Sequence, residues 1–480
     1  MLAWGIFIAY LVVMIIIGVL SLKKAVPTLS DFFLARRTLG AVLLAFTFCA
    51  GYISTGSLIG SVGLNYKMGL SHLVMGAAGI LGVVLFAFMI VAPRMKIVSD
   101  RLKAITLPDL LAFRFPERGK SLRVLTSLIL LVGMFFYIEA IYIGVGRTLE
   151  VLLGLPYVWG MAIPAIIVAV YSAMGGYRAV VWTDFVQMML IVIGIGILAP
   201  LVVIALGGWG SLVAQAAEIS PKLVSIPGGI PLLMYIYLFI GLFLHIGYLP
   251  HVAIKFYTVK EVKVFRWSAL LCVVILTIAL LPTYYFGVAA RVMFGKLPSP
   301  DQALPLLSHT LLPPALDAIV MTAVVAAAMS TTNAMLLIVS GAIVRDFYQQ
   351  LFRPKADERY LTKLSMISTL IMGLLPILPA ISPPPLMFII YSVGVAILKG
   401  GFLVPILLTI WWKRATGSGI LAGMLGGTIV ALGISAWYGF AKLGVIYAGM
   451  TAAAISAIIC VIASYATKPQ SPEFLAKIFS

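Results

Sequence analysis

Two runs of small and hydroxyl-bearing residues interrupt long apolar segments of this chain. Residues 327–333 (Ala-Ala-Met-Ser-Thr-Thr-Asn) lie inside the apolar segment 315–344, and residues 50–57 (Ala-Gly-Tyr-Ile-Ser-Thr-Gly-Ser) lie inside an earlier one. A helix would place Ala327, Ser330 and Thr331 on one face, because residues three and four apart are neighbours on a helix. Two hydroxyl oxygens with little bulk suit a small, hard cation that sheds its water.

Both runs also have a purely structural interpretation. Ser330 and Thr331 can bond back to a carbonyl four residues earlier, and small residues let helices pack closely. In the earlier run, the clustering of Gly51, Thr55 and Gly56 with further hydroxyls favours a break in the helix over a packing seam. Unwound carbonyls would then be free to hold an ion.

The composition predicts an all-α, polytopic membrane protein, since 62% of the 480 residues are apolar and only 10% are charged. We expect about thirteen transmembrane helices, the first of them retained and not a cleaved signal. Their expected positions are 2–21, 40–65, 71–93, 124–149, 156–174, 181–206, 231–254, 267–290, 315–344, 364–381, 386–411, 418–440 and 443–466.

The net charge of +18 is interpreted as a topology signal and not as a nucleic-acid-binding surface. With the N-terminus outside and the C-terminus cytoplasmic, most Lys and Arg fall in cytoplasmic loops, as the positive-inside rule requires. The exceptions are Lys67, Arg147, Lys222, Arg291, Lys296 and Lys442 on the opposite side and Lys399 inside a span. We therefore expect a multi-pass protein of the plasma membrane that contacts anionic lipid.

Chemistry other than transport has little support in the residues. The three Cys fall inside spans and the four His are scattered, so neither a disulfide framework nor a catalytic cluster is indicated. His245 and His251 are six residues apart, which does not suit a helical metal pair. We predict no enzyme activity and no obligate protein partner.

A second interrupted span lies at 231–254, where Gly241, His245, Gly247 and Pro250 follow one another. It stands five spans after the first, so two five-span halves of opposite orientation, 40–206 and 231–411, are predicted. The segments 2–21 and 418–466 then add one helix before and two helices after them. Interrupted helices at matching places in inverted halves indicate a transport site near the midplane.

The chain resembles the sodium:solute symporter family over nearly its whole length, and most closely the pantothenate-carrier branch. The resemblance rests on five motifs taken together: residues 30–37 (Ser-Asp-Phe-Phe-Leu-Ala-Arg-Arg), 50–63, 171–184 (Tyr-Ser-Ala-Met-Gly-Gly-Tyr-Arg-Ala-Val-Val-Trp-Thr-Asp), 249–251 (Leu-Pro-His) and 326–333 followed by 345–348 (Arg-Asp-Phe-Tyr). The chain departs from some relatives at Tyr52, where they carry Asp or Asn.

This resemblance implies a LeuT-like fold of ten core helices in two inverted halves. It also implies a sodium ion as the bound cofactor, between the first and eighth core helices. Its ligands would be the carbonyls of Ala50, Ile53 and Ala327 and the hydroxyls of Ser330 and Thr331. Asp184 matches an acidic position on the ion's path to the cytoplasm, although a structural role, paired with Arg178, stays open.

Two charged residues stand near the middle of their spans, Glu139 and Lys399. A charge there costs roughly 2.5–3.5 kcal/mol on insertion scales, so a function or a partner is expected. The two side chains could pair with each other, contact the solute, or face a wet cavity. The residues that we expect to contact the solute are Ser54, Ser57, Glu139, His245, Tyr248 and Lys399.

The function predicted from these residues is sodium-coupled import of a small organic solute by alternating access. Pantothenate, proline, a short monocarboxylate and a sugar all remain possible solutes. One alternative is a proton-coupled carrier of the same fold that uses Lys399 or Glu139. A cation channel is the alternative from another class, but no ring of carbonyls or like charges is evident.

Overall fold

The computed structural model describes residues 2–23, 28–34, 38–384, 386–440 and 442–479, except for the side chains of residues 30, 31, 246 and 248. Long apolar segments form helices, because a helix satisfies its own backbone hydrogen bonds where lipid offers none. Across these described ranges, strand pairing is limited to one isolated bridge between Leu39 and Val259. The fold is therefore all-α, as the composition predicts.

Twenty-three α-helices follow one another in the described ranges. They are α1 (Leu2–Lys23), α2 (Leu29–Leu34), α3 (Ala41–Tyr52), α4 (Ser61–Met68), α5 (Ser71–Gly82), α6 (Ala92–Arg101), α7 (Leu107–Arg114), α8 (Gly119–Leu153), α9 (Tyr157–Ala205), α10 (Trp209–Ile219), α11 (Leu232–Phe243), α12 (Pro250–Ala253), α13 (Val264–Ala279), α14 (Thr283–Phe294), α15 (Ala303–Leu311), α16 (Pro314–Gly341), α17 (Glu358–Leu374), α18 (Ile377–Ala380), α19 (Met387–Leu398), α20 (Val404–Trp411), α21 (Gly417–Trp437), α22 (Ile446–Tyr465) and α23 (Pro472–Phe479).

Several of these helices are joined by tighter or wider turns. The π-helical turns are Gly56–Gly60, Val83–Val91, Ala342–Phe352 and Lys399–Leu403. The 3₁₀ turns are Pro116–Arg118, Pro221–Leu223, His245–Tyr248, Ile254–Thr258, Pro300–Gln302 and Leu443–Val445. Two of the π turns, Gly56–Gly60 and Lys399–Leu403, are considered further below, because π turns are frequent at functional sites.

Each predicted span overlaps a helical segment. In the described part of the chain ten helices are long and apolar enough to cross a bilayer, or eleven if the bent pair of α3 with Gly56–Met68 counts as one span. The predicted spans 156–174 and 181–206 form one helix, α9, which is kinked at Gly176 (φ 55°). A side chain at Gly176 would strike Phe32. The number of crossings and their orientation remain predictions.

The centre of the molecule is α16, of which almost every side chain is buried. It packs against α8, α9, α3 and α1, while α19 packs along α8 on the other side. The last two long helices, α21 and α22, pack against each other and against the π turn Lys399–Leu403. The polar run of α16 is therefore buried inside the molecule, in the helix that contacts both α3 and α9.

Candidate functional site

The first interrupted span breaks where the sequence predicts. Helix α3 ends at Tyr52, Ile53 is extended (φ −86°, ψ 112°), and the chain resumes as a π turn at Gly56 with a bend of 58°. In a continuous helix the carbonyls of Ala50 and Ile53 would accept from the amides of residues 54 and 57. Instead the amide of Ser57 donates to the carbonyl of Ser54 at 2.9 Å. The break thus removes the helical donors from the Ala50 and Ile53 carbonyls.

Helix α16 delivers two hydroxyls to these carbonyls. The Ser330 hydroxyl lies 2.8 Å from the Ala50 carbonyl oxygen, and the Thr331 hydroxyl lies 3.2 Å from that of Ile53. Both hydroxyls also lie 3.1 Å from the carbonyl oxygen of Ala327, one turn earlier on α16. All five residues are fully buried. The five oxygens that the sequence analysis names therefore converge, from two segments 280 residues apart.

This oxygen cluster fits a hard monovalent cation. Two hydroxyls have two protons to donate, yet they face three carbonyls, so the cluster is richer in acceptors than in donors. A cation that takes oxygen ligands satisfies every member at once. Among the described residues no group of three or more His, Cys, Asp or Glu is placed to bind a metal ion.

Asp184 of α9 lies in a buried ion pair with Lys255, beside Thr47, which is three residues before Ala50 on α3. The Lys255 ammonium lies 3.0 Å from the Asp184 carboxylate, and both side chains are fully buried. Thr47 bonds to both partners, and the Asn333 amide lies 3.4 Å from the other carboxylate oxygen. The ion pair that the structure gives Asp184 is with Lys255, and not with Arg178, which was the structural alternative left open by the sequence.

Lys255 is a functional candidate that the sequence analysis missed. Hydropathy places it one residue beyond the predicted end of the span 231–254, so it is counted as a cytoplasmic loop residue. In the structure it belongs to the 3₁₀ turn Ile254–Thr258, and its ammonium also bonds to the Thr47 carbonyl. The second interrupted span therefore contacts the first next to the oxygen cluster. The Pro250-His251 motif before it is the signal that could have placed it inside.

A cavity adjoins the oxygen cluster. Tyr52, which stands between the carbonyls of Ala50 and Ile53, is part of its wall. The other lining residues are Gly56, Ser57, Ser61, Leu64, His72, Tyr237, Leu238, Gly241, Leu242, His245, Tyr284, Phe388, Tyr391, Ser392, Val395, Ala396, Lys399, Ile446 and Gly449. The wall combines aromatic rings with a few polar groups, as the walls of small-molecule pockets do.

Three of the predicted solute contacts line this cavity: Ser57, His245 and Lys399. The Ser54 hydroxyl instead lies 3.4 Å from the Tyr137 hydroxyl, and Glu139 is buried elsewhere on α8. The Tyr248 side chain lies outside the described part of the structure, so its contact with the solute stays a prediction.

Glu139 and Lys399 do not pair. Both side chains are buried, but the structure has no ion pair between them. The Lys399 stem and ammonium lie against Gly449 and Gly241, on α22 and α11. The contacts of the described residues therefore give no support to a mutual pair.

Aromatic residues of the cavity wall are the contacts that sequence reasoning missed. Tyr391 lies with its hydroxyl 3.3 Å from His245 Nε2, and the rings of Tyr52 and His245 have centroids 5.0 Å apart. Tyrosines are spread through the spans of this chain, so composition alone gave no reason to choose these. A bent helix beside a polar cavity, with an acceptor-rich oxygen cluster between them, is the arrangement of a LeuT-like secondary transporter.

Solved structures share this fold. A Na+-coupled sialic acid symporter in a substrate-bound outward-open state aligns with a TM-score of 0.79 at 19% identity, over 98% of this chain and 99% of that one. Mhp1, a nucleobase-cation-symport-1 family transporter, aligns with a TM-score of 0.55 at 15% identity, over 93% and 97% of the two chains. At these identities the likeness establishes the fold and nothing further.

The chain belongs to the sodium:solute symporter family, whose model matches residues 32–427. The sodium/pantothenate symporter of Escherichia coli (strain K12) is 33% identical over 434 residues, which are 88% of this chain and 89% of that protein. The high-affinity proline transporter PutP of Bacillus subtilis (strain 168) is 30% identical over 430 residues, 87% and 89% of the two chains.

Family membership decides between the functional classes left open by the sequence. The protein is a sodium-coupled solute symporter and a multi-pass membrane protein, not an enzyme. The predicted family is confirmed, and the cation channel is the wrong class.

Proposed function

We propose that one sodium ion binds among Ala50, Ile53, Ala327, Ser330 and Thr331, and that its inward movement drives import of a small organic solute held in the adjoining cavity. The observation that carries this proposal is the convergence of five buried oxygens from the broken span and α16. Without an ion, two hydroxyl protons are shared among three buried carbonyl oxygens, so the hydrogen-bonding capacity of these acceptors is not satisfied.

Coupling between ion and solute is supported by their common wall. Tyr52 faces the cavity, whereas the carbonyls on either side of it face the oxygen cluster. A sodium ion that orders this unwound segment also orders the cavity wall, so each ligand favours the conformation that binds the other. That reciprocity is what a symporter requires.

Alternating access would use the two inverted halves 40–206 and 231–411, with 2–21 and 418–466 as flanking helices. The N-terminus would be outside and the C-terminus cytoplasmic, as the basic loops indicate. Asp184, held by Lys255 one turn from Ala50, would receive the ion as it leaves toward the cytoplasm. Pantothenate and proline are the solutes to test first, because the relatives named above are carriers of these two.

The energy of one sodium ion suffices for such import. A single charge crossing about 100 mV releases about 2.3 kcal/mol. A tenfold sodium gradient adds about 1.4 kcal/mol. The sum of about 3.7 kcal/mol sustains a solute gradient of several hundredfold, so one site of this kind is enough.

The test is uptake into proteoliposomes with sodium or choline outside, for the parent and for Ser330→Ala, Thr331→Ala and the double variant. A hydrogen bond or ligand contact to a charge is worth about 1.5–3 kcal/mol. Each single change should therefore raise the half-saturating sodium concentration about ten- to hundredfold. The double variant should lose sodium stimulation altogether.

Thr322→Val is the matched control for these variants. Thr322 is also a buried hydroxyl of α16, but it makes no hydrogen bond with any described residue. Its half-saturating sodium concentration should equal that of the parent. Uptake by the parent that is equally fast in choline, or sodium stimulation that survives in the double variant, would show that the proposed site is wrong.

A further inference from the structure

Among the described residues that line the cavity, lysine is the one type that is charged at neutral pH in its ordinary state. Lys399 is the only Lys or Arg among the residues that line it, two histidines accompany it, and the described lining includes no Asp or Glu. A solute with an ammonium group would bury that charge without a carboxylate to receive it, which is costly. A solute with a carboxylate would meet a cation. The charge pattern of the cavity therefore separates anionic solutes from cationic and zwitterionic ones.

Lys399 is held in place by close packing on two other helices. A methyl group at Gly241 would come within 2.6 Å of the ammonium nitrogen, and one at Gly449 within 2.8 Å of the Lys399 Cδ. A larger residue at either position would force the lysine side chain to shift. The side chain is thus seated between α11 and α22, and a positioned ammonium is better suited to bind an anion than a mobile one.

The backbone under Lys399 is also irregular. Lys399 is the first residue of the π turn Lys399–Leu403, in which Gly400 packs against the backbone of Gly427 on α21. A π turn adds a residue to the helix and changes the direction of the side chains that follow, which is why such turns recur at binding sites. The wider turn and the two glycines on neighbouring helices are independent features that serve the same lysine.

The rest of the cavity suits an uncharged body. Tyr52, Tyr391 and His245 present rings and neutral polar atoms. The Ser57 hydroxyl makes only long contacts, to the amide of Ser54 and the carbonyl of Tyr52 at 3.4 and 3.5 Å, so a closer partner would bind it better. These groups recognise hydroxyl or amide functions attached to a partly apolar skeleton.

Building on the proposed function, we infer that the transported solute is an organic monocarboxylate, and that Lys399 binds its carboxylate while the tyrosines and Ser57 bind an uncharged polar body. Lys399 is then a specificity-determining residue of the symporter. An ammonium–carboxylate contact that is shielded from water is short and strong, and its loss is not made up by the amide of a neutral analogue.

The experiment measures ligand-induced thermal stabilisation of the detergent-purified full chain in sodium buffer. The ligands are pantothenate with its neutral alcohol analogue pantothenol, short aliphatic monocarboxylates each with its amide, and zwitterionic proline. At least one carboxylate should stabilise the parent, while its neutral partner and proline should not. Lys399→Gln should lower the affinity for that carboxylate about ten- to hundredfold, and Lys399→Arg should retain most of the affinity.

Lys96→Gln is the matched control, because it removes another buried ammonium, 3.0 Å from Asp100 and remote from the cavity. Its carboxylate preference should equal that of the parent. Sodium-induced stabilisation should be unchanged in Lys399→Gln, which shows that the variant folds and keeps its ion site.

Three results would overturn the inference: no carboxylate of the panel binds, a neutral or zwitterionic ligand binds as well as its carboxylate counterpart, or Lys399→Gln leaves the preference intact. Repeating the titration in choline separates this inference from the proposed function. A carboxylate preference that needs Lys399 but is indifferent to sodium would refute the coupling and leave the anion site standing.

Discussion

The oxygen cluster and the solute cavity lie side by side, yet they are built in different ways. The cluster takes its five oxygens from two short segments, three of them from the main chain. The cavity takes side chains from the broken spans and from α5, α14, α19 and α22. An ion is selected by the number and spacing of oxygens, which two segments can supply. A solute of irregular shape needs groups from many directions.

This difference indicates how solute specificity and ion selectivity respond to amino-acid substitution. Side chains that line the cavity can be exchanged one at a time without moving the backbone that holds the ion. Carbonyl ligands cannot be exchanged at all without changing the course of α3. We therefore expect substitutions near the ion to affect folding and coupling together. Substitutions of cavity residues outside the broken segment of α3 should affect solute binding alone.

The largest effect is expected at the ion pair beneath the oxygen cluster. Lys255→Met leaves the Asp184 carboxylate buried without its cation, which costs about 3–5 kcal/mol. The double variant Lys255→Met with Asp184→Asn removes both charges and should recover most of the loss. The loss of stability is measured as the shift in thermal midpoint of each detergent-purified variant, determined by size-exclusion chromatography after heating.

Lys96→Met is the control for that comparison. Lys96 is almost as buried, but its partner Asp100 is 43% exposed, so solvent compensates the carboxylate that remains. The expected loss is below about 1 kcal/mol. Equal losses in the single and double variants of the Lys255 pair would show that the two charges do not depend on each other.

Much of the fold can be predicted from the sequence, because lipid leaves an apolar segment few alternatives to a helix. The break after Tyr52 is predictable as well, since glycines and hydroxyls cluster there. The pairing of Lys255 with Asp184 is not, because 71 residues separate them and a charge at the edge of a span looks like a loop residue.

The two mid-span charges show most clearly what the sequence does not predict. Glu139 and Lys399 give the same signal in the sequence, a lone charge in an apolar segment. Only Lys399 lines the cavity, since helix rotation is decided by packing such as that of Gly241 and Gly449 around the lysine. Hydropathy indicates that such residues are costly, and it does not indicate which direction they face.

A smaller effect is expected at the start of α19, a helix that lines the cavity, where Asp301 accepts from the Met387 amide at 3.0 Å. Burial raises the pKa of Asp301 to about 6, because the charged form loses its water. The folded state then binds the proton more tightly than the unfolded state. This contribution to stability is complete below about pH 4 and is lost as the pH rises through 6.

Between pH 7 and pH 5 the gain from Asp301 should be about 1 kcal/mol. It appears as a higher thermal midpoint of the parent at pH 5 than at pH 7. Asp301→Asn keeps the shape and the acceptor but cannot titrate, so its midpoint should change less over the same range. A pH dependence identical in parent and variant would mean that another group is responsible.

The smallest effect is expected within the cavity, at Tyr391→Phe. The change removes the hydroxyl that lies 3.3 Å from His245, while the ring keeps its contact with Tyr137 at 4.9 Å between centroids. One neutral hydrogen bond is worth about 0.5–1.5 kcal/mol, so the KM for the solute should rise about two- to tenfold. The half-saturating sodium concentration, measured at saturating solute, should not change.

Tyr285→Phe is the control for this variant, because that hydroxyl donates to the Ala199 carbonyl at 2.9 Å, away from the cavity, and its loss should alter neither constant. If the half-saturating sodium concentration of Tyr391→Phe changes together with the solute KM, the separation of the oxygen cluster from the cavity is contradicted. The tyrosine would then act through the shared Tyr52 wall, to which His245 connects it, and the oxygen cluster and the cavity would be one site in energetic terms.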